Sequence, residues 1–127
     1  MVRAIRGATT VEENTEQDIL ERTGELLLAM TQENGITEDD IISVIFSVTN
    51  DLNAAFPAVA ARRMGWTETA LMCTYEIDVP GSLQKCIRVL MHIHTEKVGS
   101  ELKFIYLNDA RKLRPDLFDK ADRLEER

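Results

Sequence analysis

Hydrophobic positions along this chain follow two rhythms, and the switches between them mark its elements. The opening run "VRAIRGATTV" (2–11) is β-prone and predicts a first strand. Gly7 inside it either ends the strand or lets another backbone come close. The next run, "NTEQDILERTGELLLAMTQENG" (14–35), changes to a helical period, with Ile19, Leu20, Thr23, Leu26, Leu27 and Met30 on one face. Thr15 has the chemistry of an N-cap, acidic residues fill the first turn, and Gly35 suits the C-terminal stop. "TEDD" (37–40) predicts a short helical turn with an acidic start. "IISVIFSVT" (41–49) is a β-branched run that predicts a strand buried on both faces. "NDLNAAFPAVAARRMGW" (50–66) carries a short Ala-rich helix, with Pro57 in its first turn and Gly65 at its end. Three strands follow, over "ALMCTYEIDV" (70–79), "CIRVLMHIHT" (86–95) and "ELKFIYL" (101–107), with a turn at "PGS" (80–82). "NDARKLRPDL" (108–117) lacks a period, and 118–127 predicts a frayed tail.

The order β-α-β-α-β-β-β in 127 residues predicts one domain of α/β or α+β class over residues 1–117. The expected architecture is a mixed sheet packed by two main helices. Apolar residues make up 44% of the chain, enough for a core in a domain whose small size favours oligomers. The net charge of −7 argues against nucleic acid as a partner, and any anionic ligand must be drawn by a local cluster of cations. No apolar run reaches the length of a membrane span, and the N-terminus lacks the pattern of a secretion signal. With Cys73 and Cys86 as the only cysteines, free thiols and a cytoplasmic address are expected.

The chemically odd residue is Arg88, a permanent cation in the middle of "CIRVLMHIH". Strand alternation puts Cys86, Arg88, Leu90, His92 and His94 on one face and Ile87, Val89, Met91 and Ile93 on the other. The second set reads as core, the first as the lining of a cavity or an interface. Arg88 is then either a structural partner of an acid or a ligand-binding cation, and the strand alone leaves both open. His92 and His94 form an H-x-H pair, but zinc asks for three or four ligands, so no metal is expected. Arg6, Arg62 and Arg114 also lie in or beside predicted elements. Several arginines so placed suit carboxylate or phosphate recognition through the planar guanidinium fork. Glu76 and Cys73 differ by three positions, so a regular strand sends them to opposite faces. No phosphate loop, nucleophile–base set or paired-carboxylate spacing is readable.

Several segments taken together carry a family signature: "IRGATTVEENT", "TNDLNAAFPAVAAR", "CTYEIDVPGSLQKCIRVLMHIHT" and "YLNDARKLRPDL". In this order and spacing, from Arg3 to Leu117, the chain resembles the monofunctional, trimeric α/β class of chorismate mutase, unrelated in fold to the all-helical class. The resemblance implies a trimeric pseudo-α/β-barrel with sites at subunit interfaces. It implies the Claisen rearrangement of chorismate to prephenate, on the route to phenylalanine and tyrosine, with no cofactor.

By the same resemblance, Arg88 is the cation at the ether oxygen, Arg6 a carboxylate ligand and Tyr106 a second carboxylate donor. Glu76 and Cys73 contact the ring hydroxyl. Phe56, Ala58, Leu71, Met72 and Leu113 line the pocket, Arg62 is a rim cation, and Arg114 helps close the C-terminal segment over the site. Val59 and Met72 stand where the family pattern often has a basic residue and a threonine. Two other readings stay open at this point. One is a non-catalytic trimeric protein that binds a carboxylate metabolite; the other is an enamine or imine deaminase on a similar scaffold.

Overall fold

The computed structural model describes residues 1–114; the expected frayed tail (118–127) lies outside the described residues. Helix α1 (Glu16–Asn34) starts where Thr15 accepts a hydrogen bond from the Asp18 N–H (3.1 Å). It stops at Gly35, whose φ of 62° is the left-handed turn that glycine adopts freely. All six residues of the expected apolar stripe, Ile19, Leu20, Thr23, Leu26, Leu27 and Met30, are buried.

Five strands form one mixed sheet: β1 (Val2–Thr10), β2 (Ile41–Val48), β3 (Ala70–Tyr75), β4 (Cys86–His94) and β5 (Ile105–Tyr106). Their spatial order is β3-β2-β4-β1-β5. Strand β4 runs antiparallel to both β1 and β2 and so sits at the centre. Strand β3 is parallel to β2, reached through helix α2 (Ala58–Arg63), as a parallel neighbour requires a crossover. Both helices cover the same side of the sheet. Between them and the strands lie Ile5, Leu26, Met30, Phe46, Val89, Met91 and Ile93, each almost fully buried. Burying such a side chain contributes about 1.5–3 kcal/mol relative to leaving it in water.

Gly7 does not end β1, which runs on to Thr10. A Cβ at Gly7 would stand 2.6 Å from Met30 Sδ, so the missing side chain is what lets α1 seat on the sheet.

Three expectations are corrected. Strand β2 is buried on one face only: Ile41, Val44, Phe46 and Val48 are buried, while Ile42 is exposed and Ser43, Ile45 and Ser47 are half-buried. A register shift between Ile41 and Ser43 places Ile42 as the extra residue of a bulge, which explains two outward residues in a row. The last strand is two residues long rather than seven. The segment before it is held by a side chain instead of a neighbouring strand: buried Asn34 donates to the Lys103 carbonyl (3.0 Å) and accepts from the Lys103 N–H (2.7 Å). Finally, residues 108–113 are not irregular but form a 3₁₀ helix (Asn108–Leu113). The Thr9 hydroxyl accepts from Asn108 Nδ2 (3.0 Å) and the Thr10 hydroxyl from the Asp109 N–H (3.1 Å), which ties that helix to the end of β1.

Candidate active site

The side of the sheet opposite α1 and α2, covered in part by the 3₁₀ helix (Asn108–Leu113), carries the unusual chemistry. Residues directly opposite one another on paired strands point to the same face. The registers therefore align Tyr106, Ala8, Arg88, Ser47 and Thr74 in one row across β5, β1, β4, β2 and β3. Arg6, Leu90, Ile45 and Met72 form the next row. Arg88 thus rises between two small residues, Ala8 and Ser47.

Glu76 lies one residue past β3, and its N–H still donates to the Val48 carbonyl (2.8 Å). It keeps the strand's alternation and emerges two residues along from Thr74, on the face of Arg88. The outcome is an ion pair, Arg88 Nε to Glu76 Oε1 at 3.2 Å. The glutamate side chain is 24% exposed and the arginine 47%. At that exposure the pair adds little to stability, but it fixes the direction of the guanidinium.

That cavity has a volume of about 350 Å³. Arg6, Glu76, Arg88, Tyr106, Leu113 and Arg114 all line it, so residues singled out from sequence are brought together from β1, the end of β3, β4, β5 and the 3₁₀ helix. The Arg6 guanidinium lies 5.6 Å from the centre of the Phe104 ring, a cation–π contact that holds it over the rim. Leu90, on the face expected to line a cavity, and Val89 also border it, as do Gly7, Ala8, Ile45 and Ser47, which the sequence does not single out as lining. Their signal would have been strand pairing, which one sequence does not display.

The remaining candidates stand elsewhere. Strand β3 is regular, so Cys73 points to the helix side, away from Glu76, and borders a second cleft with Phe56, Val59 and Tyr75. Arg62 and Leu71 border a third concavity with Trp66, Thr67 and Thr69. Ala58 is 3% exposed and packs into the core, so within one chain it is not a wall of the Arg88 cavity. Met72 shares the face of Arg88 but sits at the sheet edge, 63% exposed.

Cys86, beside Arg88, is 1% exposed. Burial pushes its thiol up from 9.0 to about 11, and the Arg88 charge offsets only part of that. A thiol so placed is neutral at pH 7 and is no nucleophile. His92 Nδ1 pairs with the Ser43 hydroxyl at 3.1 Å. Among the described residues, no three His, Cys, Asp or Glu side chains gather as a metal site.

A sheet with both α-helices on one face and, on the other, an arginine paired with a glutamate in a cavity with further cations is a class of α/β domain suited to anions. Comparison with known proteins gives the family. Residues 2–117 match the model of chorismate mutase type I, and the chain belongs to that family. It is 44% identical to chorismate mutase AroH of Bacillus subtilis (strain 168) over 118 residues, 92% of this chain and 93% of that one. It is 48% identical to chorismate mutase AroH of Thermus thermophilus over 118 residues, 92% of this chain and 97% of that one. Among solved structures, a chorismate mutase from Clostridium thermocellum superimposes with a TM-score of 0.86 at 62% identity, covering 87% of this chain and 98% of that one.

Proposed function

We propose that this chain catalyses the rearrangement of chorismate to prephenate, and that the observation carrying the mechanism is the Arg88–Glu76 pair at 3.2 Å inside a cavity shared with Arg6 and Tyr106. In the reaction one C–O bond of the enolpyruvyl ether breaks and one C–C bond forms, in a single molecule. No proton changes hands, so a site without an activated nucleophile is no obstacle. What the reaction needs is a folded substrate and a charge in the right place.

Chorismate is a dianion with a flexible arm. Arg6 and Tyr106 hold a carboxylate, Arg114 closes over it, and the apolar wall with Leu113 keeps the arm against the ring. Fixing the compact conformer removes an orientational obstacle before the chemistry begins. As the C–O bond breaks, negative charge grows on the ether oxygen while the ring becomes partly cationic. Arg88 meets the first and Glu76 the second. Both interactions are stronger in the transition state than in the ground state, which is the condition for raising kcat. The local cations also overcome a net charge of −7 that repels the substrate at long range.

The working form in this proposal is a homotrimer with shared sites. Several observations support it. Phe56, Met72, Tyr75 and Ile77 are 70%, 63%, 59% and 85% exposed in the single chain, more large apolar surface than one small domain usually leaves bare. One sheet face carries no α-helix, only the 3₁₀ helix (Asn108–Leu113) over part of it. The second cleft, with Phe56 and Cys73, opens away from the Arg88 cavity, so one chain cannot surround a substrate with both sets. A neighbouring copy that brings its Phe56–Cys73 side against Arg88 would complete the enclosure. A cytoplasmic address belongs to the same reading, since both cysteines are free thiols.

The test is direct. Purified protein is added to chorismate, and loss of chorismate and appearance of prephenate are followed, with mass measured in solution. Acceleration over the buffer rate by a species of three chains is expected. No acceleration would leave a carboxylate-binding protein or another chemistry on this scaffold.

A further inference from the structure

Lys85 has a φ of 50°, in the left-handed region, where a residue with a Cβ is strained. It is the residue immediately before β4 and three before Arg88. Such a conformation persists only where its surroundings impose it. Here they do. The Lys85 N–H donates to both oxygens of the Asp51 carboxylate (3.0 and 3.3 Å). The Lys85 carbonyl accepts from the Val11 N–H (2.9 Å), and Lys85 Nζ donates to the Glu12 carbonyl (3.0 Å). Asp51 also accepts from the Thr49 hydroxyl. That hydroxyl in turn accepts from the Cys86 N–H (3.0 Å), and the Thr49 N–H donates to the Cys86 carbonyl (3.0 Å). The ends of β1 and β2 and the start of β4 are thereby fastened in one knot, with the Asp51 carboxylate at its centre.

We infer that Asp51 is a positioning residue for Arg88: its carboxylate locks Lys85 in the left-handed conformation and so sets the angle at which β4 begins. Asp51 does not line the Arg88 cavity. Its influence passes through the backbone, over residues 85–88. The inference rests on the mutase reading for its kinetic consequence, but not for its structural one. Without the carboxylate, the Lys85 N–H loses a charge-assisted partner and the residue relaxes toward negative φ. From Ile87 onward β4 is paired on both sides, so the strand survives and the change reaches Arg88 as a small tilt. A misplacement of about 1 Å in a site of this kind can cost about 10²-fold, so a fraction of that shift is worth about tenfold.

The experiment uses the full chain with Asp51→Ala, Asp51→Asn and the double variant Asp51→Ala/Lys85→Gly. The expected result is a fall in kcat of about tenfold for Asp51→Ala with KM within about twofold, and a smaller fall for Asp51→Asn, which keeps one oxygen acceptor. Glycine adopts the left-handed turn unaided, so Lys85→Gly in the Asp51→Ala background restores most of the lost kcat. A second readout needs no turnover: the NMR resonance of the Arg88 Nε–H, bonded to Glu76 in the parent, moves toward that of a free guanidinium in Asp51→Ala and returns in the double variant. Should Asp51→Ala not fold, both readouts are taken on Asp51→Asn. An unchanged kcat with an unmoved Arg88 resonance, a loss confined to KM, or a loss that Lys85→Gly does not repair overturns the inference. A parent protein inactive on chorismate would overturn the functional reading instead, and the resonance arm would still decide the role of Asp51.

Discussion

Replacing Arg88 by alanine tests the central claim of the mechanism. A unit charge about 4 Å from the ether oxygen, at an effective dielectric of about 20, interacts by about 4 kcal/mol. Mutations of single oxyanion donors in other enzymes cost about 2.7–4 kcal/mol, or about 10²–10³ in kcat. The structure adds a second loss. Glu76 is then left without its cation, 24% exposed and facing a dianionic substrate. Arg88→Ala should therefore lower kcat by about 10³ or more. Arg88→Lys is the sharper variant. The bond to Glu76 is made by Nε, which lysine lacks, so its ammonium can serve the glutamate or the ether oxygen but not both. We expect Arg88→Lys to lose about 10² in kcat, by the same donor arithmetic. Steady-state chorismate turnover gives kcat and KM, with circular dichroism and solution mass as checks on the fold. Near-normal kcat in Arg88→Ala with only a raised KM would show uniform binding and refute the transition-state role.

Further expectations follow from packing and titration. Gly7→Ala drives a methyl into Met30 Sδ and should cost about 1–3 kcal/mol in urea unfolding, an effect that Met30→Ala in the same chain should reduce. An unchanged midpoint in the single variant would mean that α1 can shift freely. Cys86 has its thiol raised to about 11 when folded, from 9.0, so the folded state favours the neutral form. Its contribution is complete below pH 9, is lost as pH rises toward 11, and amounts to about 3 kcal/mol at 1.36 kcal/mol per pH unit. Cys86→Ala should lack that alkaline loss when the two proteins are compared by denaturant unfolding; identical slopes would contradict it. Cys73→Ser should keep most activity, since no thiolate attack is involved; complete loss would point to covalent chemistry.

Much of the fold was legible because its periods are strong. The stripe from Ile19 to Met30, the alternation around Arg88 and the stops at Gly35 and Gly65 are local signals that tertiary packing reinforces. What was hidden depends on partners far apart in sequence. The bulge at Ile42 exists only relative to β4. The shortness of β5 follows from Asn34, a buried amide 69 positions from Lys103 that stands in for a strand. For the site, alternation marked Arg88, a place in a β-prone run marked Arg6, and the family resemblance supplied the roles of Glu76 and Tyr106. That Ala8 and Ser47 are small beside Arg88 has meaning only once β1, β4 and β2 are known to be neighbours. The same alternation separates Cys73 from Glu76, and no reading of one chain could bring them together.

The two clusters face opposite ways, and this has a genetic consequence under the trimeric arrangement proposed above. In a closed ring, each site pairs the Arg88 side of one chain with the Phe56–Cys73 side of the next. Two chains, one damaged on each side, are both inactive alone. Any mixed ring of them contains one junction where both sound halves meet, roughly one site in three. Two faulty alleles of this gene would therefore complement each other, while two lesions on the same side would not.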